Sequence, residues 1–310
     1  MAKEFTPVFV GGTGRSGTTI ILNMLKSHPH FHSSMPREIR YITDRKGLID
    51  FNFRKSIKRE ESLRGVRNHI VGKVLAFTGK GPAHIVAKRM QGLWWSQVGK
   101  KGKPRGLVQG ISEEQLSQAL KVFIKGQKRN KIQASRELYY SLSSLQFQKP
   151  DVQYFADSTP TNMLNADYIY TLFPEAKFIN MVRDGRDVAF SVSRERWGPN
   201  DPYEALAWWE KRIRLANRAL STIPAHLKLE LRLEDLIVRK REEAYASLHE
   251  FINISGDVSV RQFFDAEMLA ERMHEGAWKS EVSDPEKYQE IYEKILLSLN
   301  RDGITIEKFY

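Results

Sequence analysis

The stretch from Gly12 to Thr19, GTGRSGTT, combines glycine, hydroxyl and arginine residues in an order that could bind a phosphate group. Its glycines would let the backbone approach an anion and point successive N–H groups at it. Arg15 adds a cation inside the turn, and the hydroxyls of Ser16, Thr18 and Thr19 add further donors. Because an amphipathic segment follows, a helix N-terminus would add partial positive charge. The alternative is an ordinary glycine turn between a strand and a helix.

A nucleotide-triphosphatase loop has the same glycine spacing but carries a lysine where this sequence has Thr18. Such an enzyme also needs an acidic residue after a hydrophobic strand to hold Mg²⁺. Here the hydrophobic run KFINMV at 177–182 is followed by Arg183, with Ser191 eight residues further on. A cation at this position favours a second phosphate over a metal ion, and Arg183 and Ser191 could contact one phosphate together.

The hydrophobic pattern predicts the elements that must position these residues. Strands are predicted at 5–10, 152–159, 177–182 and 228–233, and helices at 18–27, 112–125, 134–146, 165–174, 185–197, 207–220 and 240–253. Strands separated by helices predict an α/β fold, a P-loop-type parallel β-sheet flanked by helices on both faces. Ligands of such sheets bind beyond the carboxyl ends of the strands, where the glycine loop, 157–162 and 183–191 all lie.

Composition and charge limit the remaining possibilities. The chain has 310 residues, a net charge of +12 and no cysteine, which excludes disulfides, thiolate metal sites and cysteine nucleophiles. We expect a single domain over 1–310 and a soluble, cytoplasmic protein, because neither a signal peptide nor an apolar run of about 20 residues is present. Residues 45–150 hold 23 Lys and Arg against 6 Asp and Glu. We interpret this region as a basic, largely helical insertion that faces either an anionic partner or only solvent.

The basic composition raises two further kinds of partner. The segment 84–103 joins basic residues to Trp94 and Trp95, which suits peripheral contact with an anionic membrane or, alternatively, a core helix. No nucleic acid is expected, because no DNA- or RNA-binding signature is present. The alternating His28, His30 and His32 are interpreted as a helix-end turn, and no metal site is expected.

The strings GRSGTT (14–19) and VRDGRDVAFSVS (182–193) together resemble the sulfotransferase family that uses 3′-phosphoadenosine 5′-phosphosulfate (PAPS). The similarity covers residues 8–42, 154–197 and, more loosely, 228–280, but not the basic middle. The family transfers its group without a metal, which accounts for the missing lysine and Mg²⁺ site. The donor-binding residues that the resemblance implies are, for the 5′-phosphosulfate, Arg15, Ser16, Gly17, Thr18 and Thr19, and, for the 3′-phosphate, Arg183, Ser191, Gly276 and Lys279.

A candidate catalytic carboxylate lies in REIRYI (37–42), which resembles the glutamate segment of glycan-type and tyrosine sulfotransferases. The resemblance implies that Glu38 is the general base that deprotonates the acceptor, and that Arg15 stabilises the departing phosphate oxygen. The alternative for Glu38 is a surface glutamate paired with Arg37 or Arg40.

Two positions depart from the family's pattern. Ser158 replaces a lysine in ADSTPTN (156–162), so a cationic contact near the transferring group is lost or comes from Arg37 or Arg40. Leu233 replaces a tyrosine in LRLEDLI (231–237), so adenine would meet an apolar wall.

The sequence therefore predicts a sulfotransferase that moves a sulfuryl group from PAPS to a hydroxyl or amine of a carbohydrate, glycolipid or small metabolite. The charge of 45–150 favours an acidic acceptor, whereas a neutral metabolite and a peptide tyrosine stay open. Two other classes stay open as well: a P-loop kinase that uses ATP, and a non-catalytic anion-binding protein with the same fold.

Overall fold

The computed structural model of the chain describes residues 5–53, 81–98, 102, 104–254, 256–273 and 275–307. The strands in these residues are β1 (Thr6–Gly12), β2 (Phe31–Ser33), β3 (Gln97–Val98), β4 (Pro104–Arg105), β5 (Tyr154–Asp157), β6 (Lys177–Val182) and β7 (Lys228–Arg232). Five of them form one sheet in the order β2–β5–β1–β6–β7, and every neighbouring pair is parallel. The short strands β3 and β4 pair antiparallel.

The sheet is buried on both faces, which explains why its central strands have continuous hydrophobic sequences. In β1, Val8 and Val10 pack into one core cluster, whereas Phe9 packs into another on the opposite face. The same alternation places Phe178 with Phe9 and Ile179 with the valines. The predicted parallel α/β sheet with helices on both faces is confirmed.

The α-helices of the described residues are α1 (Thr18–Ser27), α2 (Leu48–Phe53), α3 (Pro82–Gln91), α4 (Glu113–Gly126), α5 (Lys131–Ser144), α6 (Ala166–Leu172), α7 (Gly185–Ser193), α8 (Pro202–Leu220), α9 (Arg241–Ile252), α10 (Val258–Glu267), α11 (Trp278–Glu281) and α12 (Pro285–Arg301). A 3₁₀ segment, Pro160–Asn165, precedes α6. Within the described ranges, each helix is too short or too polar to cross a lipid bilayer.

The sequence pattern placed some element boundaries wrongly. The helix predicted at 185–197 ends at Ser193, because tight turns follow in which Gly198 N–H bonds Glu195 O. The helix-end turn predicted for His28 to His32 is wrong for its last residues, since Phe31–Ser33 is an edge strand paired with β5. Three residues are too few to reveal an alternating pattern, so pairing with a neighbouring strand decides their conformation.

The basic region 45–150 supplies helices α2 to α5, although its residues 54–80 lie outside the described part. Trp94 is 4% exposed, belongs to the core, and donates its indole N–H to Asp44 at 3.3 Å. Its ring is therefore part of the packed interior, as in the core-helix interpretation of 84–103. Residues 99–101 and 103 of that segment are outside the described residues.

The carboxyl ends of the five parallel strands lie along one edge of the sheet, which is where such folds bind ligands. β1 leads into the glycine loop, β2 into the segment that contains Glu38, and β5 ends at Asp157. β6 leads to Arg183, and β7 leads to Leu233.

Candidate active site

The glycine loop between β1 and α1 forms a cradle of backbone amides. Gly14, Arg15 and Gly17 all have positive φ values, of 90°, 56° and 91°. Gly17 is required for a second reason, since a Cβ atom there would lie 2.6 Å from Leu233 Cδ1. A non-glycine residue with φ of 56° is uncommon and is typical of loops that point consecutive N–H groups at an anion.

The N-terminus of α1 is open toward this cradle. Its N-cap residue, Gly17, has no side chain to cap the helix, and its first turn contains no acidic residue. The first N–H groups of the helix therefore keep their capacity to bind an anion, assisted by the helix dipole. Thr18 is buried, whereas Thr19 is exposed and lines a neighbouring cleft.

The hydroxyl of Ser16 is a second candidate donor in the cradle. Its side chain is fully buried, and its Oγ has no hydrogen-bond partner among the residues that the structure describes. A buried hydroxyl without a partner costs free energy, so such groups call for a specific explanation. A phosphate oxygen in the cradle would satisfy this donor.

The two segments proposed to bind opposite ends of a nucleotide touch each other. Arg15 Nε donates to Ser191 Oγ at 2.8 Å, and the Arg15 guanidinium lies 3.7 Å from the Glu195 carboxylate. Arg183 donates to the backbone oxygen of Arg15 at 3.3 Å. The glycine loop and the start of α7 therefore form one cationic surface.

The late loop at 275–279 is attached to the same surface through Asp187. The Asp187 carboxylate accepts a hydrogen bond from the Gly276 N–H at 2.9 Å and lies 3.9 Å from the Arg183 guanidinium. Lys279 is exposed and its stem packs over Gly276. The structure thus links Gly276 to Arg183 through Asp187, and Lys279 packs against Gly276.

Two buried carboxylates, Asp184 and Glu234, stabilise the backbone that carries this surface. Asp184 and Arg186 form a buried ion pair at 2.6 Å, and the Asp184 N–H bonds Glu234 Oε1 at 2.8 Å. Burial raises the pKa of Glu234 to about 7, although the bond from Asp184 and the nearby Arg183 charge both act to lower it. Glu234 therefore ties the end of β7 to the turn that carries Arg183.

Glu38 lies in a loop whose backbone is fixed on both sides. Ser158 N–H donates to Arg37 O at 3.0 Å, and Ile39 N–H donates to Asp157 Oδ1 at 2.9 Å. The Glu38 side chain is exposed and, within the described ranges, has no hydrogen bond or ion pair. Arg40 instead pairs with Asp44 at 3.1 Å, so the structure does not support the alternative of a Glu38–Arg40 surface pair.

The Glu38 carboxylate borders a cleft of about 690 Å³. Thr19 of α1, Ser158 and Glu38 line it together with residues of the basic region, namely Leu93, Trp94, Gln97, Pro104, Arg105, Gly106, Leu107 and Gln109. The cleft therefore contains the candidate base and Thr19 in the first turn of α1, and part of the basic region forms its other side.

Two residues that the sequence reasoning left out contribute to this geometry. Asp157 is fully buried, and burial raises its pKa to about 6 against the hydrogen bonds from Asn162, Ile39 and Thr159. Glu234 has the role described above. Both lie in motifs given above, ADSTPTN and LRLEDLI. The one feature of the sequence that could have identified them is an acidic residue at or just after the end of a hydrophobic strand.

The sequence of the chain is similar to that of known proteins over most of its length. A family model described as "Sulfotransferase family" matches residues 7–257. The chain is 23% identical over 259 residues to protein-tyrosine sulfotransferase 2 of Gallus gallus, covering 82% of this chain and 53% of that protein. It is 24% identical over 216 residues to protein-tyrosine sulfotransferase 1 of Homo sapiens, covering 68% and 41% respectively. The chain spans about half the length of the curated relatives it matches.

Among solved structures, the chain is similar to the sulfotransferase domain from the Synechococcus PCC 7002 olefin synthase. The TM-score is 0.51 at 16% sequence identity, and the match covers 98% of this chain and 97% of that one. At this identity the likeness concerns the fold alone.

Proposed function

Since the chain belongs to the sulfotransferase family, we propose that it transfers a sulfuryl group from PAPS to a hydroxyl or amine of an acceptor. The observation that carries this proposal is the cleft that Glu38 lines together with Thr19, which directly follows the anion cradle in the first turn of α1. We treat residues 1–310 as one catalytic domain in which the basic region 45–150 provides part of the acceptor site.

The donor would be held by groups that suit its two anionic ends. Ser16, Gly17, Thr18 and Thr19 would bind the 5′-phosphosulfate with the N-terminus of α1. Arg183 and Ser191 would bind the 3′-phosphate, with Gly276 and Lys279 as further contacts. Two features support this fit. Ser16 Oγ has no hydrogen-bond partner among the described residues, and the N-cap residue of α1 has no side chain that could cap the helix. When bound, PAPS supplies an electrophilic sulfur whose bond to the phosphate oxygen is broken.

Two residues would then assist the transfer, one by accepting a proton and the other by stabilising negative charge. Glu38 takes the proton of the acceptor hydroxyl or amine as the new bond to sulfur forms. Arg15 stabilises the negative charge that develops on the departing phosphate oxygen. General-base assistance of this kind contributes about 10²- to 10⁴-fold in rate.

A P-loop kinase is the second candidate, because the fold binds a nucleotide at the same loop. The sequence argues against it at two positions, since Thr18 replaces the lysine that contacts the β- and γ-phosphates and Arg183 replaces an acidic Mg²⁺ ligand. A non-catalytic anion-binding protein is the third, and Glu38 beside the cradle argues against that alternative.

Titration calorimetry with 3′-phosphoadenosine 5′-phosphate (PAP) and with ATP, each in excess EDTA and in Mg²⁺, tests the proposed donor. We expect PAP to bind at least about 100-fold more tightly than ATP, because a missing 3′-phosphate leaves two or more charge-assisted bonds unmade. Tighter binding of MgATP would support the kinase.

The charges around the cleft favour an anionic acceptor. Lys26, Arg37 and Arg105 line it, and none of them forms an ion pair with an acidic residue in the described part of the chain. Among the described residues that line the cleft, Glu38 is the one acidic residue. An acceptor with a carboxylate, sulfate or phosphate group near its nucleophile would offset this positive charge. We propose an anionic carbohydrate, glycolipid or metabolite, with a neutral acceptor or a peptide tyrosine as outcomes of the test.

We expect p-nitrophenyl glucuronide to be a better acceptor than p-nitrophenyl glucoside, with a KM about tenfold lower, because a carboxylate replaces the neutral hydroxymethyl group at C6. Arg105→Ala is expected to remove this difference and to leave kcat within about threefold, since one charge-assisted contact is worth roughly 1.5 kcal/mol or more. Arg129→Ala, which removes an exposed cation outside the cleft, is the control. Equal KM values for both glycosides in the wild-type protein would count against an anionic acceptor.

A further inference from the structure

A buried carboxylate lies directly behind the loop that carries Glu38. Asp157 ends β5 and is fully buried. Its Oδ1 accepts hydrogen bonds from Ile39 N–H at 2.9 Å, from Thr159 N–H at 3.2 Å and from Thr159 Oγ1 at 2.8 Å, and its Oδ2 accepts from Asn162 Nδ2 at 2.7 Å. Burying a carboxylate is costly unless it is fully hydrogen-bonded, and these four donors satisfy it.

One of these bonds joins two parts of the chain that are 118 residues apart. Ile39 immediately follows Glu38, so the bond fixes the peptide on the C-terminal side of the candidate base. The adjacent Ser158 N–H fixes the N-terminal side by donating to Arg37 O. Glu38 is thereby held between two bonds that originate at the end of β5, and its own side chain stays exposed at the cleft.

We propose that Asp157 is a positioning residue that sets the orientation of Glu38 toward the reacting group, an inference that rests on the function proposed above. The Glu38 carboxylate must be placed to within a fraction of an ångström, because the efficiency of a general base depends on its hydrogen-bond geometry to the acceptor. Asp157 itself touches neither the cleft nor the anion cradle, so it acts through the Ile39 peptide.

The competing interpretation is that Asp157 only stabilises the turn at 158–162. Three of its four hydrogen bonds go to Thr159 and Asn162, which is consistent with that role. The two interpretations differ in one measurable respect. A residue that acts through Glu38 loses its effect on kcat when Glu38 is already disabled, whereas a general stabiliser does not.

The experiment is a double-mutant cycle of Asp157→Ala and Glu38→Gln, with kcat measured for sulfuryl transfer and PAP affinity measured by calorimetry. We expect Asp157→Ala alone to lower kcat about 100-fold with PAP affinity within about threefold. In the Glu38→Gln background, the same substitution is expected to lower kcat by less than about threefold. Thr159→Val is the control, since it removes one donor to the same carboxylate and leaves the Ile39 bond intact, and we expect kcat within about threefold.

Asp157→Asn provides a rescue that depends on geometry. Asparagine keeps an oxygen for the Ile39 N–H, and its amide would face Asn162, whose Oδ1 has no partner among the described residues and could accept after a flip. We expect this variant to retain kcat within about tenfold. If Asp157→Ala binds no PAP, Asp157→Ser replaces it in the cycle, because its shorter side chain also loses the Ile39 bond.

The outcomes separate this inference from the proposed function. An equal loss from Asp157→Ala in both backgrounds, or a loss from Thr159→Val as large as that from Asp157→Ala, would overturn the positioning role while Glu38 stays the base. No effect of Glu38→Gln on kcat would instead remove the proposed base, and the positioning role with it.

Discussion

Glu38→Gln is expected to lower kcat for sulfuryl transfer by about 10²- to 10⁴-fold without changing PAP affinity by more than about threefold. Glutamine has nearly the same shape as glutamate but cannot accept a proton at neutral pH. Because Glu38 forms no hydrogen bond or ion pair among the described residues, the substitution breaks no contact that holds the fold. The loss therefore reports on chemistry rather than on stability.

The control for this prediction is Glu243→Gln, which removes an exposed carboxylate in the first turn of α9, outside the cleft. We expect its kcat to equal that of the wild-type protein within about twofold. Steady-state kinetics at saturating PAPS, combined with calorimetric PAP titration, separates kcat from donor binding. A decrease of less than tenfold for Glu38→Gln would show that another group removes the proton.

Arg183→Ala is expected to weaken PAP binding by about 100-fold and to leave the affinity for adenosine 5′-phosphate within about threefold. The two nucleotides differ only in the 3′-phosphate, and a charge-assisted contact from a guanidinium to phosphate is worth roughly 1.5 to 3 kcal/mol. Arg183 lies at the carboxyl end of β6, where its guanidinium reaches the backbone of the glycine loop.

The matched control is Arg194→Ala, which removes an exposed arginine just beyond the end of α7 that pairs with Glu281. This variant has the same change in net charge, and we expect both nucleotides to bind as they do to the wild-type protein. A parallel loss of adenosine 5′-phosphate affinity in Arg183→Ala would indicate damage to the glycine loop rather than a missing 3′-phosphate contact.

The sequence predicted the parallel sheet well because buried parallel strands are hydrophobic throughout and are separated by amphipathic helices. The strand at 177–182 and the helix at 18–27 have the predicted bounds. Motifs that directly follow such strands, including Arg15 and Arg183, could therefore be assigned to one edge of the sheet from the order of the elements alone.

Contacts between distant segments could not be predicted in the same way. The hydrogen bond from Ile39 to Asp157 links two loops that no local pattern relates, and the burial of Glu234 depends on how β7 packs beside β6. Asp157 and Glu234 are both visible in the sequence, but only the tertiary structure distinguishes a buried, hydrogen-bonded carboxylate from a surface charge.

The residues that line the cleft could not be predicted from local sequence patterns either. Net charge identified the basic region as a candidate for acceptor binding, yet the residues that line the cleft come from a short hairpin and the turns beside it. Of the described lysines and arginines of this region, Arg105 lines the cleft, whereas others such as Lys125 and Arg129 lie outside it. The total charge of a segment therefore does not identify which of its residues line a cleft.

We expect one adenosine bisphosphate to lie across the glycine loop and the start of α7 with its 5′ end toward Glu38. A crystal structure of the protein with PAP tests it most directly. We expect the 3′-phosphate within hydrogen-bond distance of Arg183 and Ser191, and the 5′-phosphate on Ser16 and the N-terminus of α1, at the mouth of the cleft. A nucleotide with its 3′-phosphate in solvent, or with its 5′-phosphate outside the glycine loop, would contradict it.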